Sequence, residues 1–155
     1  MTADARLFEL NLELPPAPKP SGTYRPVVVV GQMCYVSGHG PLRPDRTLVT
    51  GKIGGGLSLE EGRAAARTVG LTILATLLNE LGSLDRIERL VKVLGMVNAT
   101  PDFTQHPQVI NGFSDLMVEV FGENGRAARS AVGMASLPGN IAVEVEAIFE
   151  LRKGA

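Results

Sequence analysis

The chain is poor in the residues that announce most kinds of chemistry. It has one cysteine, two histidines, no tryptophan, two tyrosines and five phenylalanines among 155 residues. A lone cysteine forms no internal disulfide, so nothing demands an oxidising compartment. Two histidines, His39 and His106, with one cysteine do not assemble a zinc site, and no metal is expected. The few aromatics are not interleaved with basic residues, which argues against a stacking platform for single strands. Charge is balanced, 15 Lys and Arg against 16 Asp and Glu, with no block of five like charges, so no nucleic-acid or anionic-membrane partner is expected. Apolar runs break well before 18 residues, which excludes a membrane-spanning helix as the expectation. The start, MTADARLFEL, lacks the basic and then apolar pattern of a secretory signal, and a cytoplasmic location is the default. GKIGGGL has neither the dinucleotide-binding spacing nor a glycine-lysine-serine ending, so it is not read as a phosphate loop.

What is present is a single domain's worth of alternating elements, spanning 1–155. Residues 3–12 read as a short helix with Leu7 and Leu10 on one face. Four prolines at 15–20 stop it, making 1–23 a helix and proline-rich extension. A hairpin follows, with strands near 26–30 and 33–37 about Gly31-Gln32; Cys34 and Val36 share one face and Tyr35 takes the other. Cys34 therefore reads as a small core residue rather than a reactive thiol. Residues 38–57 form a glycine- and proline-rich loop with one short strand near 47–49. Ser58-Leu59-Glu60-Glu61 is a capping box opening a helix that runs to about Leu81, with Gly82 beyond its end. Residues 87–97 are a strand and His106–Phe121 a second long helix, with Pro107 in its first turn. Two strands joined by a Pro-Gly-Asn turn complete the chain. The pattern predicts an α+β two-layer sandwich, two long helices on one face of a mostly antiparallel sheet.

The last two strands carry the charges that call for explanation. Period two puts Ile141, Val143, Val145, Ala147 and Phe149 on one face and Ala142, Glu144, Glu146 and Ile148 on the other. In the preceding strand Arg129 shares a face with Ala131, Gly133 and Ala135, a strip of almost no side-chain volume suited to close approach by another subunit. One guanidinium and two carboxylates in such surroundings are either an ion-pair set at a surface or interface, or a ligand site. Ser37-Gly38-His39 supplies a serine and a histidine but, as neighbours at a strand end, no catalytic triad. Tyr24 reads as a packing or rim residue.

Arg129-Ser130, the Leu137-Pro138 turn and Val143-Glu144-Val145-Glu146 resemble the C-terminal signature of the reactive-intermediate deaminase family, also called the YjgF or endoribonuclease L-PSP family. The likeness extends to Tyr24, Val36-Ser37-Gly38, Val91-Lys92-Val93 and Val109-Ile110-Asn111. KVLGMVNATPDFT and VINGFSDL are similar to its longer branch, which has an extra N-terminal segment. The resemblance implies a chorismate-mutase-like fold assembled as a homotrimer, with three clefts between subunits. It also implies cofactor-free hydrolysis of small enamines or imines, such as 2-aminoacrylate, to 2-keto acids and ammonia. Arg129 would bind the substrate carboxylate and Glu144 orient or activate water; Tyr24, Ser37, Gly38 and Asn111 match other cleft residues. A planar carboxylate suits a guanidinium fork, and a placed water with one acceptor suffices for imine hydrolysis. Glu146 shares the face of Glu144, its Cα about 6–7 Å away. Ala131 stands where many members have cysteine, His39 where glutamine is usual, and the segment before Asn111 is longer. Two other readings stay open: a trimeric protein that binds or senses a small carboxylate without turnover, and an endoribonuclease, for which Arg25, Arg43, Arg46 and Lys52 are too scattered to form a groove.

Overall fold

The computed structural model describes residues 1–154. Its elements in chain order are α1 (Ala3–Glu9), β1 (Val27–Val30), β2 (Met33–His39), α2 (Leu59–Leu81), β3 (Ile87–Asn98), α3 (His106–Phe121), β4 (Ala128–Met134) and β5 (Val143–Leu151). The strands form one sheet in the order β1-β2-β5-β3-β4. Every pairing is antiparallel except β3 with β4, which is parallel. The helices α2 and α3 lie on one face, giving the α+β sandwich that the alternation predicts.

Local chemistry explains the element ends. Ser58 Oγ accepts from the Glu61 amide at 3.1 Å and the Glu61 carboxylate accepts from the Ser58 amide at 3.1 Å, the reciprocal box that starts α2. Gly82 ends it with φ 82°. Gly31, with φ 61°, makes the two-residue turn between β1 and β2. The core lies between sheet and helices: Val69, Ile73 and Leu77 of α2, Phe113 and Leu116 of α3, and Val143, Val145 and Phe149 of β5 are all fully shielded. Cys34 joins them, and burial pushes its thiol up to about 11.

Five expectations are corrected. The helix at the N-terminus is shorter, ending at Glu9; Leu7 packs on the core while Leu10 is exposed. The strand near 47–49 does not form, and the loop makes isolated bridges instead: Leu42 to Leu48, Thr50 to Ile141, and Ile53 to both Leu57 and Ala99. The last two strands are not partners, because β3 lies between them; residues 135–142 carry the chain across its end, with a 3-10 turn at Pro138–Asn140. The alternation of β5 starts at Val143 rather than Ile141. Ahead of it, Ala142 enters the main core and Ile141 packs with Met96 and Leu137 in a second cluster. Finally, the strip of Arg129, Ala131 and Gly133 faces α3 rather than open space: Ala131 touches the core, and a Cβ on Gly133 would meet the His106 ring. The close approach those small residues permit is that of the chain's own helix.

The other sheet face is uncovered over much of its area. Val28, Val30, Tyr35 and Val132 are exposed there, and Leu94, Met134 and Ile148 are half-buried beside them.

Candidate functional site

The glutamate pocket is built by a one-residue irregularity. Val36 lies opposite Ala147 and His39 opposite Val145, so β2 advances three residues while β5 advances two. The extra residue is a β-bulge, and it resets the alternation. Cys34, Val36 and then His39 turn inward, while Ser37 and Gly38 are displaced outward over Glu144. The imidazole of His39 holds this shape. Its Nδ1 lies 2.6 Å from the Ser37 carbonyl, which can only accept, so Nδ1 carries the proton; Nε2 then accepts from the Thr76 hydroxyl at 2.8 Å. Burial lowers its pKa, which keeps the ring neutral in this role.

A cavity of about 720 Å³ opens here, lined among others by Tyr24, Ser37, Gly38, His39, Glu144 and Glu146. The Ser37 hydroxyl donates to the Arg25 carbonyl at 2.6 Å, leaving its lone pairs toward the space. Pro18, Lys19, Pro20 and Ser21 of the N-terminal extension form part of the wall. Glu144 sits against the Gly38 backbone so closely that a Cβ there would collide with its carboxylate. Burial, and secondarily the charge of Glu146, raises the pKa of Glu144 above the ordinary glutamate value. Such a group, half-buried and without a hydrogen-bond or ion-pair partner among the described residues, is a better proton acceptor than an ordinary surface glutamate.

Arg129 is elsewhere. From β4 its Nη1 donates to Asn111 Oδ1 at 2.8 Å and to Ser114 Oγ at 3.1 Å, both on α3. Asn111 and Ser114 are one helical turn apart and so share a face. Ser114 is a residue that the sequence reading missed, though its i+3 spacing from Asn111 was a usable signal. Both acceptors are neutral, and Arg129 belongs to none of the ion pairs among the described residues. Its Nε and Nη2 have no protein acceptor there, which leaves one edge of the fork free for a carboxylate. No ion pair among the described residues therefore accounts for these charges.

Within one chain the six candidate residues fall into two groups. Tyr24, Ser37, Gly38 and Glu144 line the cavity; Arg129 and Asn111 lie together at the β4–α3 edge. Glu144 lies opposite Met96 on β3, and Arg129 opposite Val93 on its other side. Their side chains leave opposite faces of the sheet, Glu144 away from the helices and Arg129 toward α3. Among the described residues, no group of three or more His, Cys, Asp and Glu side chains could hold a metal ion, and no helix is long and apolar enough to cross a membrane.

Comparison with known proteins matches this architecture over nearly its whole length. The family described as "YjgF/chorismate mutase-like, putative endoribonuclease" matches residues 4–151. Protein TCP17 of Trypanosoma cruzi is 44% identical over 148 residues, which cover 95% of this chain and 92% of that one. The structure of Atu1372, a protein of unknown function from Agrobacterium tumefaciens, is 39% identical with a TM-score of 0.87, covering 97% of this chain and 92% of its own. That of a "putative endoribonuclease" from Shewanella oneidensis MR-1 is 33% identical with a TM-score of 0.93, covering 97% and 100%. The chain belongs to the YjgF/chorismate mutase-like family.

Proposed function

We propose that this protein hydrolyses small enamines and imines of 2-amino acids to 2-keto acids and ammonia, without a cofactor, in clefts shared between copies of a homotrimer. The observation that carries the reading is the pair of unpartnered charges: a guanidinium with a free edge on one side of the sheet and a carboxylate of raised pKa on the other. Neither group has a use within one chain. Each acquires one if Arg129 of one copy faces Glu144 of the next, a head-to-tail contact that closes on itself with threefold symmetry. The exposed apolar sheet face around Val28, Val30, Tyr35 and Val132 supports burial against further copies.

In this reading Arg129 takes the substrate carboxylate, with Asn111 and Ser114 fixing the guanidinium plane. Water adds to the imine carbon as its proton passes to Glu144. Passed on to nitrogen, that proton completes a carbinolamine; Glu144 then takes the carbinolamine hydroxyl proton as the C=O bond forms and delivers it to the nitrogen as the carbon–nitrogen bond breaks, so that one imine and one water give one keto acid and one ammonia. Positioning supplies most of the effect, because the carbon is already electrophilic. The endoribonuclease description shared by several relatives is less well supported, since two carboxylates, Glu144 and Glu146, line the cavity and repel a phosphodiester.

The test is complementation. Arg129→Ala should lower kcat/KM by about 2–5 kcal/mol, some 30- to several-thousand-fold, by leaving the substrate carboxylate unpaired. Glu144→Gln should lower kcat chiefly. Refolded together in equal amounts, the two inactive variants should regain about a quarter of wild-type activity, because each cleft draws its arginine and its glutamate from independently chosen copies. No recovery in mixed trimers would rule out a shared cleft, and a monomeric mass by light scattering would rule out the assembly.

A further inference from the structure

A second cavity, of about 560 Å³, opens at the C-terminal ends of β3 and β4, and neither Glu144 nor Arg129 lines it. Its walls include Lys52, Ala99, Phe103, His106 and Met134, and its size falls within the roughly 300–1,000 Å³ of small-molecule sites. The cation is held by two neutral acceptors: Lys52 Nζ donates to Asn98 Oδ1 at 3.0 Å and to the Ala135 carbonyl at 2.7 Å. Asn98 is fully buried and fixed in turn, donating to the Gly51 carbonyl at 3.2 Å and to Asn140 Oδ1 at 3.0 Å. Lys52 belongs to no ion pair among the described residues. An ammonium has three donors, so one remains for a ligand.

The surroundings add positive potential and no negative charge. No Asp or Glu is among the described residues that line this cavity, whereas two glutamates line the other. Helix α3 starts here at His106; no side chain caps it and its first turn holds no acid, so the positive end of its dipole is unopposed within that turn. The His106 ring stands edge-on to Phe103, centroids 5.4 Å apart, and makes no hydrogen bond among the described residues. In either tautomer it has one N–H to donate. Both donors are set by the end of β4: Lys52 by the Ala135 carbonyl, and His106 by Gly133, where a Cβ would lie 2.5 Å from Nε2. Ala99, Phe103 and Met134 supply apolar wall beside them.

We propose that this cavity is a second ligand site, for a monocarboxylate with an apolar or aromatic body: the acid group lies on Lys52 and His106, and the body on Phe103 and Met134. One fixed cation balances one negative charge. A phosphate dianion would leave its second charge unpaired against apolar wall. The site uses neither Arg129 nor Glu144, and it stands or falls separately from the hydrolytic reading.

The chain's two histidines make the site readable, because His39 lines the Glu144 cavity and His106 lines this one. The ring resonances of both are followed by NMR while phenylacetate, phenylacetamide, acetate or inorganic phosphate is titrated into the wild-type protein. Phenylacetate should move the His106 signals saturably. Its midpoint should lie about tenfold or more below that of phenylacetamide, which lacks the charge, and of acetate, which lacks the apolar body. Lys52→Gln, which keeps a donor for Asn98 and the Ala135 carbonyl but removes the charge, should raise the phenylacetate midpoint to that of the amide. Movement of the His39 signals alone would place the acid in the Glu144 cavity and overturn the proposal. So would equal midpoints for acid and amide, tighter binding of phosphate, no response at millimolar phenylacetate, or an unchanged midpoint in folded Lys52→Gln protein. The comparison of acid with amide needs only the wild type, so it decides even where Lys52→Gln does not fold.

Discussion

Gly38→Ala separates Glu144, the proposed proton acceptor, from the fold that holds it. A Cβ at residue 38 would collide with the Glu144 carboxylate and lie 3.0 Å from its Cδ and 3.3 Å from its Cγ. Gly38 is not among the glycines with positive φ, so alanine meets no backbone penalty. The obstacle is the end of a flexible side chain, and the cheap response is for Glu144 to rotate away. Turning that side chain off its preferred rotamer costs about 0.5–1.5 kcal/mol, while replacing glycine removes about 0.4–1 kcal/mol worth of unfolded-state freedom. The two nearly cancel, so the melting temperature should move by no more than about 2–4 °C. Catalysis is far more sensitive, since a displacement of ~1 Å in a reacting group costs about a hundredfold. The expected result is a kcat lower by about two orders of magnitude for imino acids generated in situ, followed by ammonia release, with calorimetric affinity for keto acids unchanged because Arg129 is untouched. Gly56→Ala is the control: no atom lies within 4 Å of its added Cβ, and both stability and turnover should stay. Full turnover in folded Gly38→Ala protein would refute the assignment of Glu144 as the proton acceptor.

The remaining predictions concern charge and packing. Because Glu144 must be ionised to take a proton, activity should fall on the acid side at a pH above the ordinary glutamate range. Removing the like charge with Glu146→Gln should move that limb to lower pH without restoring the ordinary value, since burial is the larger cause; a limb that does not move would detach Glu146 from the site. At Gly112 an added Cβ would collide with the Arg63 carbonyl, and backbone cannot rotate aside as a carboxylate can. Gly112→Ala should therefore destabilise by about 2 kcal/mol or more, lowering the melting temperature by roughly 4–8 °C; an unchanged melt would show that α2 and α3 separate without cost.

What was legible in the sequence is what is decided within a few residues. The capping box at Ser58 and Glu61, the left-handed Gly82 and the turn at Gly31 each act through a neighbouring amide or a single φ angle, so their signals survive in a bare string of letters. The inward run of Val143, Val145, Ala147 and Phe149 was equally visible, because one strand's alternation needs no knowledge of its partners. Pairing is different. That β3 separates β4 from β5 depends on a parallel contact between residues 92–98 and 128–134, and no local feature of either segment states it. The same distance in sequence hid which way Arg129 points, since only α3 reveals that the small-residue strip was made for a helix.

The site was legible as a list and illegible as an arrangement, for a physical reason. A bulge at Ser37 and Gly38 adds one residue against β5, and alternation read forward from Cys34 then assigns His39 to the wrong face. The energy that selects the bulge comes from across the fold, from the Thr76 hydroxyl on α2 and from the space that only a glycine leaves beside Glu144. Pattern reading drew attention to Arg129, Glu144 and Glu146 because strong charges in apolar strands are conspicuous wherever they point, and the family resemblance singled out Arg129 and Glu144 among them. Their separation onto opposite faces follows from two strand parities fixed by different neighbours. An isolated chain that buries much of a carboxylate without a partner, and orders a guanidinium on neutral acceptors alone, carries desolvation costs that nothing within it repays. Those costs make sense if the missing partners are a ligand and another copy of the same chain.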